Sequence, residues 1–336
     1  MIKEAIQTLV SGKSLTREEA AAVMEEVMEG KATPSQLGAF LTALRMKDET
    51  ADEIAGLASV MRAKAIRVTV SEPVLDIVGT GGDNAGTFNI STAAALVAAG
   101  AGAKVAKHGN RAASSQCGSA DVLETLGVKI DLPAEGVQRC IEEAGIGFMF
   151  APAFHPAMKH AAPTRREIGI RTVFNILGPL TNPAHAEYMV IGVPGKELQD
   201  KIALALPHMG VEHALVVHGE DGLDEITITG ETAISEIKGG EISRYSITPE
   251  DFGLSRAGSS ALKGGTAAEN AAILRSVLGG APGPRRDVVL LNAAAGLVAG
   301  NLATTLRQGV ALAKEVIDSG RAMLKLEKLI KVSQRT

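Results

Sequence analysis

The glycine-rich stretch DIVGTGGDNAGTFNIST, from Asp76 to Thr92, contains the residues best suited to hold an anion. The Gly-Thr-Gly-Gly run at 79–82 follows an apolar segment, and its glycines let the backbone approach a ligand and adopt left-handed conformations. Residues 89–92 lie where a helix is predicted to begin, so that free N–H groups and the helix dipole favour a phosphate. The hydroxyl of Ser91 is also a suitable ligand for Mg²⁺.

The spacing of these glycines matches neither common nucleotide-binding motif. No Lys-Ser or Lys-Thr pair completes a Walker loop, and Gly79, Gly81 and Gly86 do not fit the dinucleotide pattern. An ordinary turn between a strand and a helix therefore stays open as an alternative. We favour phosphate binding, because such turns hold ligands in α/β sheets.

A second segment, KHGNRAASSQCGSAD at 107–121, has the composition expected around a polyanion. Lys107 and Arg111 supply positive charge, and the Asn and Ser side chains supply neutral hydrogen-bonding groups. His108 is either a general base or a residue that positions the loop. Cys117 is a weak candidate for a nucleophile, because no basic partner is identifiable in the sequence.

Two charged groups complete the candidate chemistry. The turn GEDGLDEIT offers Asp221, Asp224 and Glu225, which either coordinate Mg²⁺ or form a solvated surface turn. The two segments predicted to bind a polyphosphate favour the Mg²⁺ site over the surface turn, because Mg²⁺ usually binds carboxylates together with phosphate oxygens. Arg165 and Arg166 are predicted at a helix start, where the dipole disfavours cations, so a ligand carboxylate is one explanation and simple solvation is the other.

The elements that position these residues are predicted from periodicity and capping. The first seventy residues read as helices, with capping boxes at Thr16, Thr33 and Thr50, and apolar residues follow one face of the third helix. Beyond them, short strands and helices alternate, as in a mostly parallel sheet covered by helices. Residues 155–182 return to a helical pattern with a fourth predicted capping box at Thr164. Three alternating segments at 225–247 predict an antiparallel extension, VKIDL predicts a further strand, and helices end the chain.

Composition excludes several classes of protein. The chain has 336 residues, is 46% hydrophobic and carries a net charge of −4, which argues against nucleic-acid and membrane-surface binding. Aromatic residues make up 3%, too few for a stacking platform. The two cysteines, without a CxxC pair, indicate no disulfide framework and favour the cytoplasm. Neither a signal peptide nor a membrane span is predicted.

Taken in order, GTGGD with NIST, KHGNR, PTRREIGIRTVFNILGPLTNP and DGLDE resemble the anthranilate phosphoribosyltransferase family over nearly the whole chain. The resemblance implies an α/β fold class: a small N-terminal α-helical domain plus a larger α/β domain with a mostly parallel central sheet, similar to nucleoside phosphorylases. We expect the helical domain at 1–70, joined by an insert at about 160–182, and the α/β domain at 71–336. The family also implies a homodimer and transfer of 5-phosphoribosyl from its 1-diphosphate to anthranilate, in tryptophan biosynthesis.

Site residues follow from the resemblance position by position. It implies that phosphoribosyl diphosphate is lined by Gly79, Gly82, Asp83, Thr87, Asn89, Ile90, Ser91, Thr92, Lys107, His108, Gly109, Asn110, Arg111, Ala112, Ala113, Ser114, Ser115 and Ser119. Gly79, Asn110 and Arg165 would contact anthranilate. Two Mg²⁺ ions per monomer are implied, one on Ser91 and Glu225 and one on Asp224 and Glu225.

Chemistry and the family agree on a mechanism without a covalent nucleophile. The aromatic amine is neutral at pH 7, so no strong base is needed, and most of the barrier lies in diphosphate departure. A nucleoside phosphorylase on the same fold and a non-enzymatic nucleic-acid-binding relative are the alternatives. The acidic pair Asp224-Glu225 and the net charge of −4 argue against the second.

Overall fold

The computed structural model of the protein describes residues 1–112 and 116–335. Its first part is a bundle of α1 (Ile2–Val10), α2 (Arg17–Met28), α3 (Pro34–Lys47) and α4 (Ala51–Ala63). The three predicted capping boxes here are confirmed: Thr16, Thr33 and Thr50 each accept from the N–H of the third helical residue, whose side chain reaches back. Each box satisfies two N–H groups that the helix itself leaves unpaired.

The rest of the chain alternates strands and helices. The elements are β1 (Leu75–Gly79), α5 (Ile90–Gly100), β2 (Val105–Gly109), α6 (Ser119–Thr125), α7 (Ala134–Ala144), β3 (Ile146–Phe150), α8 (Ala151–Phe154), α9 (Ala162–Ile168), α10 (Phe174–Leu180), β4 (Tyr188–Gly192), α11 (Lys196–Ala205), β5 (His213–Gly219), β6 (Thr232–Lys238), β7 (Glu241–Ile247), α12 (Ala267–Leu278), α13 (Pro284–Ala299), α14 (Leu306–Asp318) and α15 (Arg321–Ser333).

A seven-stranded sheet in the order β3-β2-β1-β4-β5-β6-β7 forms the centre of this part. The first five strands in this order, from β3 through β1 to β5, are parallel. Strand β6 pairs antiparallel with β5, and β7 pairs antiparallel with β6. Helical bundle, parallel sheet and antiparallel extension together confirm the predicted fold class. Parallel strands present their carboxyl ends at one edge, so the segments that follow β1, β2 and β5 meet there.

Small side chains let the helices lie close to the sheet. Helix α5 is rich in alanine, is buried along almost its whole length, and packs against α13 and α15. The insert returns to the bundle, where α9 contacts α3 and α10 contacts α4. No helix among the described residues combines the length and apolar character needed to cross a membrane.

Two predicted strands are absent, and in each the backbone bonds elsewhere. Residues 128–132 are not a strand, because the N–H of Val128 closes the end of α6 on Leu123 and that of Lys129 donates to Ser333. Residues 225–229 are not one either. There the N–H and carbonyl of Ile226 bond to the side chain of Asn292, at 2.9 and 2.8 Å, instead of to a neighbouring strand.

Two helix boundaries also differ from prediction. Helix α9 begins at Ala162 after Ala161, which makes no side-chain cap, so the predicted capping box at Thr164 is wrong and Thr164 is buried inside the helix. The terminal stretch LRQGVALAKEVIDSGRAMLKLEKLIKVS, predicted as helical throughout, divides into α14 and α15 at Gly320, whose φ of +74° is the left-handed conformation that ends a helix.

Candidate active site

The glycine loop after β1 lies against the acidic turn after β5. The N–H of Gly81 donates to Asp224 Oδ2 at 2.7 Å. A Cβ on Gly79 would lie only 2.2 Å from the same oxygen, so the absent side chain is what allows this approach. Gly81 and Gly82 have φ of +69° and +86°, left-handed conformations that glycine adopts without the strain of a side chain.

The start of α5 is occupied by side chains from other loops. The N–H of Ser91 donates to Glu225 Oε1 at 3.2 Å, so one helix-start donor is already satisfied by the acidic turn. Asn89 does not cap the helix; its amide donates to the Cys117 carbonyl at 3.2 Å and its oxygen accepts from Asn270 at 3.0 Å. The hydroxyl of Thr92 is buried and has no hydrogen-bond partner among the described residues.

Lys107 is buried beneath the site and does not extend into the open cleft. Its exposed fraction is 2%, and Nζ donates to the Ile77 carbonyl at 2.6 Å and to Ser91 Oγ at 3.3 Å. Burial lowers the pKa of Lys107, and the nearby carboxylates of Asp76 and Glu225 oppose that shift. Its charge therefore acts on Ser91 and Glu225, the residues predicted to hold a metal.

Three carboxyl groups, on Asp83, Asp224 and Glu225, repel one another at the edge of the sheet. Burial, then repulsion from Asp83, raises the pKa of Asp224 to about 7. Burial and repulsion from Asp224 raise the pKa of Glu225 well above its usual value, and Lys107 only partly offsets this. A bound cation would relieve that repulsion, and these oxygens are the donors that Mg²⁺ prefers.

The set of donors is incomplete without a ligand. Among residues 1–112 and 116–335, no three His, Cys, Asp or Glu side chains are placed to hold a metal alone. That agrees with Mg²⁺, which usually binds one or two carboxylates together with phosphate oxygens. Asp221, a candidate from sequence, instead accepts bonds from Thr227 and Thr229 at 2.8 and 2.6 Å and so braces its own loop.

The segment after β2 is folded back on α6. Ser119 Oγ bonds to the Asn110 carbonyl at 3.4 Å, and a Cβ on Gly109 would lie 2.2 Å from that hydroxyl. Arg111 pairs with Asp121 and Glu124 at 2.9 and 2.7 Å, so its charge is already compensated. The predicted positions Ala113, Ser114 and Ser115 lie outside the described residues.

A cavity of about 590 Å³ opens beside these loops, and the three residues predicted for anthranilate, Gly79, Asn110 and Arg165, all line it. The guanidinium of Arg165 lies 4.8 Å from the centre of the Phe174 ring. Arg165 is in the last turn of α9, where the helix dipole favours a cation, so the predicted position at a helix start is wrong.

Two histidines form the inner wall of this cavity. The rings of His108 and His155 lie 5.1 Å apart, and each Nε2 is buried without a partner in the described part of the chain. Burial lowers the pKa of His108 to about 3 and of His155 to about 4, so both are neutral at pH 7. His155 and Phe174 were not predicted as site residues. No motif includes His155, and Phe174 lies within PTRREIGIRTVFNILGPLTNP, where only Arg165 was assigned to a substrate.

Comparison with known proteins identifies the family. Models described as the helical bundle domain and the a/b domain of the glycosyl transferase family match residues 3–65 and 71–323. An anthranilate phosphoribosyltransferase of Dehalococcoides mccartyi is 65% identical over 99% of this chain and 98% of its own. The chain belongs to the anthranilate phosphoribosyltransferase family. A second family member, from Chloroflexus aurantiacus, is 62% identical over 99% of both chains.

Solved structures of the family share the architecture. The Thermus thermophilus anthranilate phosphoribosyltransferase has a TM-score of 0.93 and 49% identity, over 98% of this chain and 99% of that one. The Saccharomyces cerevisiae family member in complex with PRPP and Mg has a TM-score of 0.91 and 31% identity, over 100% of this chain and 98% of that one. The same yeast enzyme has also been solved with 4-fluoroanthranilate.

Proposed function

We propose that this chain transfers the 5-phosphoribosyl group of 5-phosphoribosyl 1-diphosphate to the amine of anthranilate. The products are N-(5-phosphoribosyl)anthranilate and pyrophosphate, in tryptophan biosynthesis. The observation that carries the proposal is that the glycine loop joins both parts of the site. Gly79 and Thr80 line the same cavity as Arg165, and the N–H of Gly81 in that loop donates to Asp224 of the acidic turn. Family members that are 65% and 62% identical bear the name of this activity.

The diphosphate end of the cleft is proposed to comprise the loops after β1 and β2 and the start of α5. Its residues would be Gly79, Gly82, Asp83, Thr87, the segment 89–92, the segment 107–115 and Ser119. Left-handed Gly81 and Gly82 and the unpartnered Thr92 hydroxyl support this assignment. For Arg111 to bind the diphosphate, its pairs with Asp121 and Glu124 must open or be shared.

Magnesium is proposed at the acidic turn, with two ions per monomer. Ser91 and Glu225 would hold one ion, and Asp224 and Glu225 the other. When bound, Mg²⁺ would neutralise charge on the departing diphosphate. The raised pKa values of Asp224 and Glu225, caused by burial and mutual repulsion, support a divalent cation here. The yeast relative was solved with PRPP and Mg.

Anthranilate is proposed to lie in the cavity, with its carboxylate on Arg165 and its ring between Gly79 and Asn110. Arg binds carboxylates in a fixed two-point geometry, so it would aim the amine at C1′ of the ribose. Neutral His108 and His155 can accept a hydrogen bond without placing a positive charge near the developing ribose cation. Cys117 is buried and burial raises its pKa, which supports a mechanism without a covalent nucleophile.

One assay tests this function. The protein is incubated with Mg²⁺, 5-phosphoribosyl 1-diphosphate and anthranilate, and loss of anthranilate fluorescence is followed. Release of one pyrophosphate per anthranilate consumed is expected, and omission of Mg²⁺ should abolish it. A fluorescence signal that stays constant under these conditions would reject the proposal. Phosphorolysis of a nucleoside in a parallel reaction would instead support the nucleoside phosphorylase alternative.

Three broader features are also proposals. The domains are set at 1–70, with the insert at about 160–182, and at 71–336. Exposed Val10 and Met46, at 73% and 84%, give the helical bundle apolar surface for a homodimer, which sedimentation equilibrium would test. The free thiols of Cys117 and Cys140 suit a cytoplasmic location.

A further inference from the structure

Arg171, in the connection between α9 and α10, contacts the glycine loop. It lies within PTRREIGIRTVFNILGPLTNP, but no role was predicted for it. Its Nη2 donates to the Gly81 carbonyl at 2.9 Å. Its Nη1 lies so close to Gly82 that a Cβ there would be only 1.7 Å away. The guanidinium is thus seated directly on the backbone of the loop, and the absent side chain of residue 82 leaves the space for it.

The peptide groups of Gly81 are held from two sides of the cleft. Asp224, on the acidic turn after β5, accepts from its N–H at 2.7 Å. Arg171, on the insert that carries Arg165, donates to its carbonyl. Glycine has wide conformational freedom, so these two bonds restrain the backbone of the loop and with it the direction of its N–H groups.

We propose that Arg171 is a positioning residue that links the segment binding anthranilate to the loop binding the diphosphate. The inference rests on the proposed function of the cleft and adds a role for a residue outside its contact set. The link is stiff: the N–H of Thr172 donates to Asn175 Oδ1 at 3.0 Å, which ties the connection to the start of α10.

A consequence of this link is that each substrate should bind more tightly when the other is already bound. A diphosphate that fixes the glycine loop also fixes Arg171 and the insert, so that the anthranilate site is already ordered when anthranilate arrives. Coupling of this kind is reciprocal, and values of about 5- to 150-fold are typical.

The test uses Mg²⁺-pyrophosphate and anthranilate, a pair that binds both ends of the cleft and cannot react. The Kd of anthranilate is measured by its fluorescence, with and without saturating Mg²⁺-pyrophosphate. The variants are Arg171→Ala, Arg171→Gln and Arg171→Lys, with Arg166→Ala as the matched control, since Arg166 is an exposed arginine on the same insert. The KM values of both substrates and kcat are determined in parallel.

The unmodified protein and Arg166→Ala should bind anthranilate at least about fivefold more tightly when Mg²⁺-pyrophosphate is present. Arg171→Ala should lose this coupling and raise the KM of phosphoribosyl diphosphate about tenfold, with a smaller change in kcat. Arg171→Gln, which keeps an N–H donor for the Gly81 carbonyl without the charge, should restore part of the coupling.

Three results overturn the inference: no coupling in the unmodified protein, unchanged coupling in Arg171→Ala, or full coupling in Arg171→Lys with none in Arg171→Gln. The last would mean that Arg171 acts through its charge alone. If the unmodified protein shows no turnover of phosphoribosyl diphosphate with anthranilate, the proposed function itself is contradicted. If thermal stability falls only in Arg171→Ala, the coupling measured in Arg171→Gln and Arg171→Lys decides whether the inference holds.

Discussion

At the scale of single residues, Arg165 shows how a correct residue can be predicted from a partly wrong argument. The motif placed it in the site, and the structure puts it on the cavity wall beside Phe174. Its predicted position at a helix start was wrong, because capping-box logic was applied to Thr164, which is buried. Arg171 and His155 could not be predicted, since only the folded chain brings them to the cleft.

Arg165→Ala should mainly weaken anthranilate binding. Loss of a two-point, charge-assisted contact costs about 1.5–3 kcal/mol, so KM for anthranilate should rise roughly 10- to 100-fold. Steady-state kinetics with each substrate varied in turn would measure this. Arg166→Ala is the control and should behave like the unmodified protein. An increase confined to the KM of phosphoribosyl diphosphate would show that Arg165 had been assigned to the wrong substrate.

Asp224 gives a prediction on pH. Its pKa in the folded protein is raised to about 7, above the usual 3.8, so the ionised form is destabilised by folding. The stability it contributes is complete below about pH 4 and is lost as pH rises through 7. Without metal, Asp224→Asn should therefore be more stable than the unmodified protein at pH 8, by as much as about 4 kcal/mol, with a correspondingly higher Tm.

The measurement for Asp224 is thermal unfolding from pH 4 to 8 in EDTA and in excess Mg²⁺. Mg²⁺ should narrow the difference at pH 8, because the cation stabilises the ionised carboxylate and cannot do so for the amide. The variant keeps an oxygen to accept from Gly81, so a broken hydrogen bond is not expected. Greater stability of the unmodified protein at pH 8 in EDTA would contradict the assigned repulsion.

At the scale of elements, the sequence predicted correctly those helix starts and strands that depend on residues close together in the chain. The capping boxes of α2, α3 and α4 and the strands from β1 to β7 depend on short-range pattern and were predicted correctly. The segment 225–229 has a strand-like pattern, but Asn292 on α13 takes the hydrogen bonds of Ile226. A side chain from 66 residues away cannot be seen in a local window, and the site's acidic turn depends on it.

The glycine loop offers a matched pair of substitutions. Gly82 and Gly86 both have left-handed backbones, at φ of +86° and +60°, so alanine at either costs about 1–2 kcal/mol of stability. Of the two, only Gly82 lies against the Arg171 guanidinium. A Cβ on Gly86 would lie 3.6 Å from Lys263 Nζ, which is an ordinary van der Waals contact. Gly82→Ala should lower kcat/KM for phosphoribosyl diphosphate more than tenfold, and Gly86→Ala should not; equal losses would mean that strain alone matters.

At the scale of the whole molecule, the cleft lies between a sheet edge and a helical insert that packs on the bundle. Residues for the diphosphate end come from the sheet, and Arg165 comes from α9, which contacts α3. The reaction requires both ends to meet at one carbon atom. We therefore expect the insert and bundle to close on the sheet when both ends are occupied.

Small-angle scattering tests this closure. Addition of Mg²⁺-pyrophosphate and anthranilate together should reduce the radius of gyration, and either ligand alone should have a smaller effect. Arg171→Ala, in which the insert is uncoupled from the loop, should close less completely. Profiles that superimpose with and without both ligands would contradict closure, and the cleft would then be already formed in the free protein.

The buried alanine-rich helix α5 makes one end of the cleft much harder to open than the other. Its residues are almost all fully buried, so its amide hydrogens exchange with solvent chiefly when the whole chain unfolds. Helix α9 and its connection include the exposed residues Arg166, Ile170 and Arg171, and their amides should exchange through local opening. Deuterium uptake at 162–172 should therefore fall when substrate binds, whereas uptake in α5 should stay low with or without substrate. The rate of uptake at 162–172 then measures how often this side of the cleft opens.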